Sequence, residues 1–165
     1  MKPLPSLDRL NELFRYEPET GKLIRRKGVK RSAAGTVVGS LMASGHVYVS
    51  VDYQKCYVHR VVWKMVHGED PEVEIDHING VKDDNRLSNL RLADRSQNAM
   101  NSRLQKNSTS GLKGVTFVKD RGNWLAQIKA RGVYHYLGHH NTKQAAHEAY
   151  KRAAERLHGE FARFE

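Results

Sequence analysis

Cysteine is nearly absent from this chain, with Cys56 standing alone among 165 residues. That excludes an intrachain disulfide and any zinc site built from several thiolates. Proline is also scarce, at four residues, and no apolar run approaches the ~20 residues needed to cross a bilayer. The opening MKPLPSLDRL has neither the apolar core nor the small-residue cleavage site of a secretory signal, so a cytoplasmic location is expected, with no membrane partner. Acids are outnumbered, 18 Asp and Glu against 28 Lys and Arg, for a formal net charge of +10. A balance of that sign points to a polyanionic partner such as nucleic acid. The length suits one ordinary domain or two small ones.

What is present is organised in short elements. SLDRLNELFRY carries an N-cap residue, Ser6, and apolar residues at Leu7, Leu10, Leu13 and Phe14, the spacing of a short amphipathic helix. HVYVSVDYQKCYVHR alternates apolar and polar residues about a turn near Tyr53-Gln54 and predicts a β-hairpin. HRVVWKMVHG predicts a helix closed by Gly68, with Val62, Trp63 and Val66 available for packing.

The stretch EIDHINGVKDDNRLSNLRLADRSQNAMN, residues 74–101, is the most informative. Val73 and Ile75 alternate with acids, so a strand is expected to deliver Asp76 and His77 to its end. A loop and a second short strand, NLRLAD, follow. Asp94 with Gln97 three residues on has the form of a capping box, which starts a helix over SQNAMNSRLQ with Asn98 in its opening turns. An Asp-His pair alone is an ordinary surface feature, and asparagines alone are turn formers. Here Asn89 is expected beside His77 and Asn98 on the helix beneath it. A neutral imidazole takes a proton from water near pH 7, and a divalent cation on oxygen ligands stabilises charge on a cleaving phosphodiester. On this reading His77 is the base, Asn89 fixes its tautomer, and Asp76 and Asn98 are hard ligands suited to one Mg²⁺ or Mn²⁺.

VHRVVWKMVHG followed by IDHINGVKDDNRLSNLRLADRSQNAMN resembles the HNH homing endonucleases, whose ββα-metal core carries the pattern DHxNGxxxDNRxxNLRxxxxxxN. The resemblance covers about Leu13 to Arg103. It implies the same roles for His77, Asn89, Asp76 and Asn98, with Asn98 standing where many members have a second histidine. His59 matches a histidine common just upstream and is taken as structural.

NSRLQKNSTSG reads as a polar linker. Beyond it, three short strands are expected, broken at Asp120-Arg121-Gly122 and Arg131-Gly132, and then a helix over NTKQAAHEAYKRAAERLHG. Its apolar stripe is Ala145, Ala146, Ala149, Tyr150, Ala153 and Leu157. Alternation sets Gln127, Lys129 and Arg131 opposite Ala126 and Ile128, making one face basic and polar. Residues 111–164 resemble the AP2 DNA-binding domain through KGV, GNWLAQIKA, YLG, TKQAAHEAYKRAA and HGEFARF. That resemblance implies DNA contacts from Lys113, Trp124, Gln127, Lys129 and Tyr136. Alternation sets Trp124 on the face opposite Gln127, so the two readings disagree there.

The expectation is an α+β protein: an HNH nuclease domain over residues 1–103, with a β-rich N-terminal segment and a ββα-metal core, a linker over 104–110, and an AP2-like three-stranded antiparallel sheet packed on one helix over 111–165. It would act on double-stranded DNA as a monomer or weak dimer with no obligatory protein partner. A single metal centre would serve one strand at a time, so a monomer would nick at a specific site; the family resemblance implies a homing endonuclease of the sort often carried by bacteriophages. A DNA-binding regulator with a vestigial metal centre is the rival, and an RNA-directed protein a more distant one.

Overall fold

The computed structural model describes residues 2–30, 32–104 and 108–164. The chain divides into two compact units, residues 1–92 and 93–165. Both mix short helices with small sheets, an α+β architecture. Among the described residues no helix is long and apolar enough to cross a membrane.

In the first unit, helix α1 (Leu7–Leu13) begins at Ser6, whose side chain accepts from the Arg9 amide at 3.2 Å. Strands β1 (Phe14–Glu17), β2 (Lys22–Arg25) and β3 (Val37–Val38) form one antiparallel sheet, and β4 (Ser40–Leu41), β5 (Val47–Val51) and β6 (Gln54–Tyr57) a second. The β5–β6 hairpin turns at Asp52-Tyr53, one residue before the expected position. Both residues have positive φ, 47° and 64°, as a tight turn matched to strand twist requires. Helix α2 (Val58–His67) ends at Gly68 in the left-handed region. The core joins Leu10 and Phe14 to Leu23, Val51, Cys56, Val58, Val61 and Val62. Val66, expected in that core, is exposed, because the buried stripe of α2 runs through Val58, His59, Val61 and Val62 instead. Strands β7 (Glu74–His77) and β8 (Leu90–Ala93) pair with each other.

In the second unit, helix α3 (Arg95–Met100) carries the expected capping box, Asp94 accepting from the Gln97 amide at 2.8 Å and Gln97 from the Asp94 amide at 2.7 Å. It stops short of the expected SQNAMNSRLQ span. Ala93 and Met100 pack with Ala130 and Phe161. Residues 105–107 of the expected linker lie outside the described residues. Ser110, at its end, is buried and donates to the Val115 carbonyl at 2.7 Å. Strands β9 (Val115–Val118), β10 (Asn123–Ala130) and β11 (Val133–His140) form an antiparallel sheet with β10 central, packed against α4 (Lys143–His158).

The buried stripe of α4 is Ala146, His147, Tyr150, Ala153, Ala154 and His158. Ala145 is exposed, and two histidines outside the expected stripe, His147 and His158, are buried. One ring nitrogen of each meets a backbone carbonyl: His147 Nδ1 donates to Lys113 O at 3.2 Å and His158 Nε2 to Lys129 O at 3.0 Å, while His158 Nδ1 has no partner among the described residues.

Gly21, with φ +70°, ends the β1–β2 turn against the loop that follows β7. A Cβ there would lie 2.4 Å from the Arg86 backbone nitrogen and 2.6 Å from the Asn85 carbonyl carbon. Gly21→Ala is expected to lower the stability of the first unit by about 2–4 kcal/mol, combining overpacking with left-handed strain. Urea unfolding of wild type and variant checks this.

Candidate functional site

Asp76 and His77 close β7, both buried at 4% exposure. The expected alternation fails there, since Ile75, Asp76 and His77 are all buried. Burial, helped by the nearby Lys82 charge, pushes the His77 imidazole below its ordinary value, against Asn85, Asp76 and Asp84, which favour the cation. The ring is therefore neutral near pH 7.

Its Nε2 lies 3.2 Å from Asn85 Oδ1. The Asn85 amide is fixed in that sense because its Nδ2 donates to the Asp83 carbonyl at 3.1 Å. An amide oxygen only accepts, so Nε2 carries the ring hydrogen and Nδ1 the lone pair. Asn85 is 2% exposed, so water competes poorly for this bond.

Asn89 was expected to hold the ring and instead holds the loop. It ends a 3-10 turn (Leu87–Asn89) ahead of β8; its Oδ1 accepts from the Asn79 amide at 2.9 Å and its Nδ2 donates to the Asp84 carbonyl at 2.8 Å. Asn79 in turn donates to Asp84 and accepts from the Val81 amide, both at 2.8 Å. Arg86 grips the same Asp84 carboxylate at 2.8 and 2.6 Å and holds it at about 2, well below the usual carboxylate range. From β1, the Tyr16 hydroxyl accepts from the Leu87 amide at 2.9 Å and donates to the Asn85 carbonyl at 3.3 Å. Asparagines crowd this segment because a tight loop with few ladder bonds needs side chains to satisfy its amides.

The Asp76 carboxylate is engaged through Oδ2 by Arg91 Nε at 2.9 Å and Nη2 at 2.8 Å. Asn98, the other expected ligand, is a half-buried residue of α3 in the second unit. A carboxylate and an amide oxygen are hard donors that fit Mg²⁺ or Mn²⁺.

Beside His77 stand His59 from α2 and His46 from the turn before β5. Ring centroids are 5.1 Å apart for His59–His77, 5.4 Å for His46–His59 and 5.9 Å for His46–His77, with Tyr57 stacked on His59 at 5.3 Å. His59 is buried, and its Nδ1 has no hydrogen-bond partner among the described residues. Burial, reinforced by its histidine neighbours, pushes it down to about 3.

In the second unit, Gln127 pairs across from Tyr136 and Lys129 from Tyr134, with Lys129 Nζ 5.0 Å from the Tyr134 ring centre. These side chains lie on the sheet face away from α4, and Tyr134 and Tyr136 are two-thirds exposed. Arg131 is exposed in the β10–β11 turn. Trp124 packs with the α4-side cluster, its ring 4.9 Å from that of Phe117, as alternation required. Lys113 turns inward: its ammonium donates to the Met100 and Ser102 carbonyls at 2.9 and 2.6 Å, and burial pulls it down to about 8. A cavity of about 970 Å³ opens beside it, lined among others by Arg95, Arg103, Gln127 and Lys129.

Sequence reasoning missed Asn85, His46, Arg91 and Tyr16. Asn85 was visible in the DNR segment of the pattern; His46 had no local signal.

Residues 56–100 match the family profile described as HNH endonuclease. "Protein 3.8" of Escherichia phage T7 is 37% identical over 107 residues, which are 64% of this chain and 88% of that protein. "Uncharacterized HNH endonuclease L560" of Acanthamoeba polyphaga mimivirus is 35% identical over 116 residues, 69% of this chain and 59% of that protein's length. No solved structure matches. With the Asp-His strand end, the asparagine-braced loop and these similarities together, the chain belongs to the HNH endonuclease family.

Because the folded His59 value lies below the ordinary one near 6.5, the unfolded chain binds more protons between those two values. The first unit is therefore expected to be most stable above pH 6.5 and to lose on the order of 4 kcal/mol as pH falls through that window. His59→Asn should flatten the slope, read from denaturant midpoints between pH 4 and 8 (roughly the accessible range).

Proposed function

We propose that this HNH protein is a divalent-metal-dependent, site-specific DNA endonuclease of the homing type that nicks one strand, with His77 as general base. The observation that carries this reading is the Asn85 hydrogen bond, which leaves the lone pair of a neutral, buried imidazole on Nδ1.

His77 Nδ1 takes a proton from the attacking water, and burial, which lowers the ring's pKa, keeps it unprotonated at neutral pH. Asn85 prevents the ring from presenting its N–H to that water. Asn89, Asn79 and Asp84 keep the loop rigid enough for Asn85 to do so. Asp76, with Asn98 by family resemblance, would hold one Mg²⁺ or Mn²⁺, sharing its carboxylate charge with Arg91. Held there, a divalent cation would supply positive charge to offset that developing on the scissile phosphate and the leaving oxygen. One such centre serves one strand at a time, hence a nick from a monomer.

The second unit, by its likeness to AP2 domains, would lay its open sheet face on duplex DNA. Gln127 and Lys129 are suited to base edges and phosphate, and Tyr136 to sugars. Trp124 and Lys113 support the sheet from behind rather than touching DNA. Because the units are covalently joined, cleavage falls close to the bound site. The non-catalytic regulator stays as a second reading on one observation, the Asp76–Arg91 pair, which places a protein cation on the carboxylate that a metal would need.

A supercoiled-plasmid assay separates them. Wild type is expected to give open circles with Mg²⁺ or Mn²⁺ and none with chelator, His77→Ala to lose about 10³-fold in rate while still binding DNA, and Asn85→Ala about 10–100-fold. Binding without cleavage by wild type would sustain the regulator. Lys129→Ala should weaken DNA binding and reduce the salt slope of log K by about one, measured by fluorescence anisotropy across a salt series.

A further inference from the structure

The proposed hard-cation site uses oxygen donors, yet among the described residues the first unit also holds a cluster of nitrogen donors. One ligand atom each from His46, His59 and His77 lie within 4.8 Å of one another. We infer that these three histidines form a binding site for a single transition-metal ion of the zinc class, and that its occupation silences the nuclease by taking the His77 lone pair; the second half of this rests on the proposed role of His77.

Each ring comes from a different element, the turn before β5, the first turn of α2 and the end of β7, so the cluster is set by tertiary packing and not by a local motif. Ligating histidines characteristically commit their second nitrogen to an oxygen partner, which fixes ring orientation. Two of the three do so here: His46 Nδ1 lies 3.2 Å from Ser44 Oγ, and His77 Nε2 is 3.2 Å from Asn85 Oδ1. His59 gives an independent indication. It is 7% exposed, and its Nδ1 meets no hydrogen-bond partner among the described residues. Buried polar atoms are rarely left in that state unless a ligand satisfies them.

The donor set selects the ion. Three neutral imidazoles match Zn²⁺, Co²⁺, Ni²⁺ or Cu²⁺, whereas Mg²⁺ demands oxygen and dehydrates reluctantly. Metal–nitrogen bonds of about 2.0–2.1 Å place tetrahedral ligands about 3.3 Å apart, so the trio must close by up to about 1.5 Å. His46 can supply this movement: it is half-buried and follows Gly45, a turn residue with φ +86°. A fourth position remains for water. An ion held there converts the base nitrogen into a ligand nitrogen, so the nuclease would be active with hard cations and blocked by borderline ones.

The test is a Co²⁺ titration of the full-length protein followed by visible absorption, with Zn²⁺ displacement. The expected result is one equivalent bound with the intense d–d band of a tetrahedral nitrogen site, displaced by Zn²⁺. His46→Gln and His59→Gln should each weaken binding at least about tenfold, while Asp76→Asn leaves the band in place. X-ray absorption of zinc-loaded wild type, which needs no variant to fold, should show three imidazole ligands. In the plasmid assay with Mg²⁺, stoichiometric Zn²⁺ should stop cleavage by wild type, and His46→Gln should cleave normally yet require at least about tenfold more Zn²⁺. An absent band, or fewer than three imidazoles on zinc, overturns the site. A bound ion that leaves cleavage unaffected overturns the silencing. If wild type never cleaves, the nuclease reading falls and takes the silencing with it, while the spectra still decide the site.

Discussion

The hydrogen bond between His77 Nε2 and Asn85 Oδ1 is the interaction on which the rest of the first unit's chemistry depends. A neutral hydrogen bond contributes only about 1 kcal/mol net to stability, so its importance is directional rather than energetic. It decides which ring nitrogen faces a substrate. The direction is inherited from the loop: Asn85 is held by Asp83, Tyr16 and the close passage of Gly21, and the loop by Asn79, Asp84, Arg86 and Asn89. The N-terminal hairpin is thus a brace for the site, not an appendage.

The dry surroundings of His77 have two effects that pull apart. Burial keeps the ring neutral at lower pH, which enlarges the range over which it can accept a proton, and at the same time makes it a weaker base. Asp76 and Asp84 offset part of that depression. His59 lies in the same aromatic cluster and has no such compensation, which is why its depression is larger. One buried histidine is tuned and its neighbour is stranded.

Much of the fold was legible in local chemistry. The Ser6 cap, the Asp94–Gln97 capping box, the Gly68 stop and the turns at Gly122 and Gly132 involve residues a few positions apart, and they were read correctly from spacing. Errors arose where tertiary contact decides. The stripe on α4 admitted His147 and His158 because carbonyls from distant segments accept from their rings. Lys113, in the turn before β9, points inward to carbonyls at the end of α3, which no pattern in its own segment announces. For Trp124, simple alternation put the side chain on the face opposite Gln127, and it packs there with the α4-side cluster. In the site, the residue types were legible and their pairings were not. Asn85 and Asn89 are both asparagines of the same loop, and only the folded loop determines which one meets the ring.

The most direct test of this account is the tautomer of His77, read by long-range ¹⁵N–¹H NMR of the histidine rings across pH. Neutral His77 with its hydrogen on Nε2 at pH 7, lost to the Nδ1–H form or to a mixture in Asn85→Ala, is the predicted result. A wild-type ring protonated on Nδ1 at pH 7, whether as the other tautomer or as the imidazolium, would contradict it.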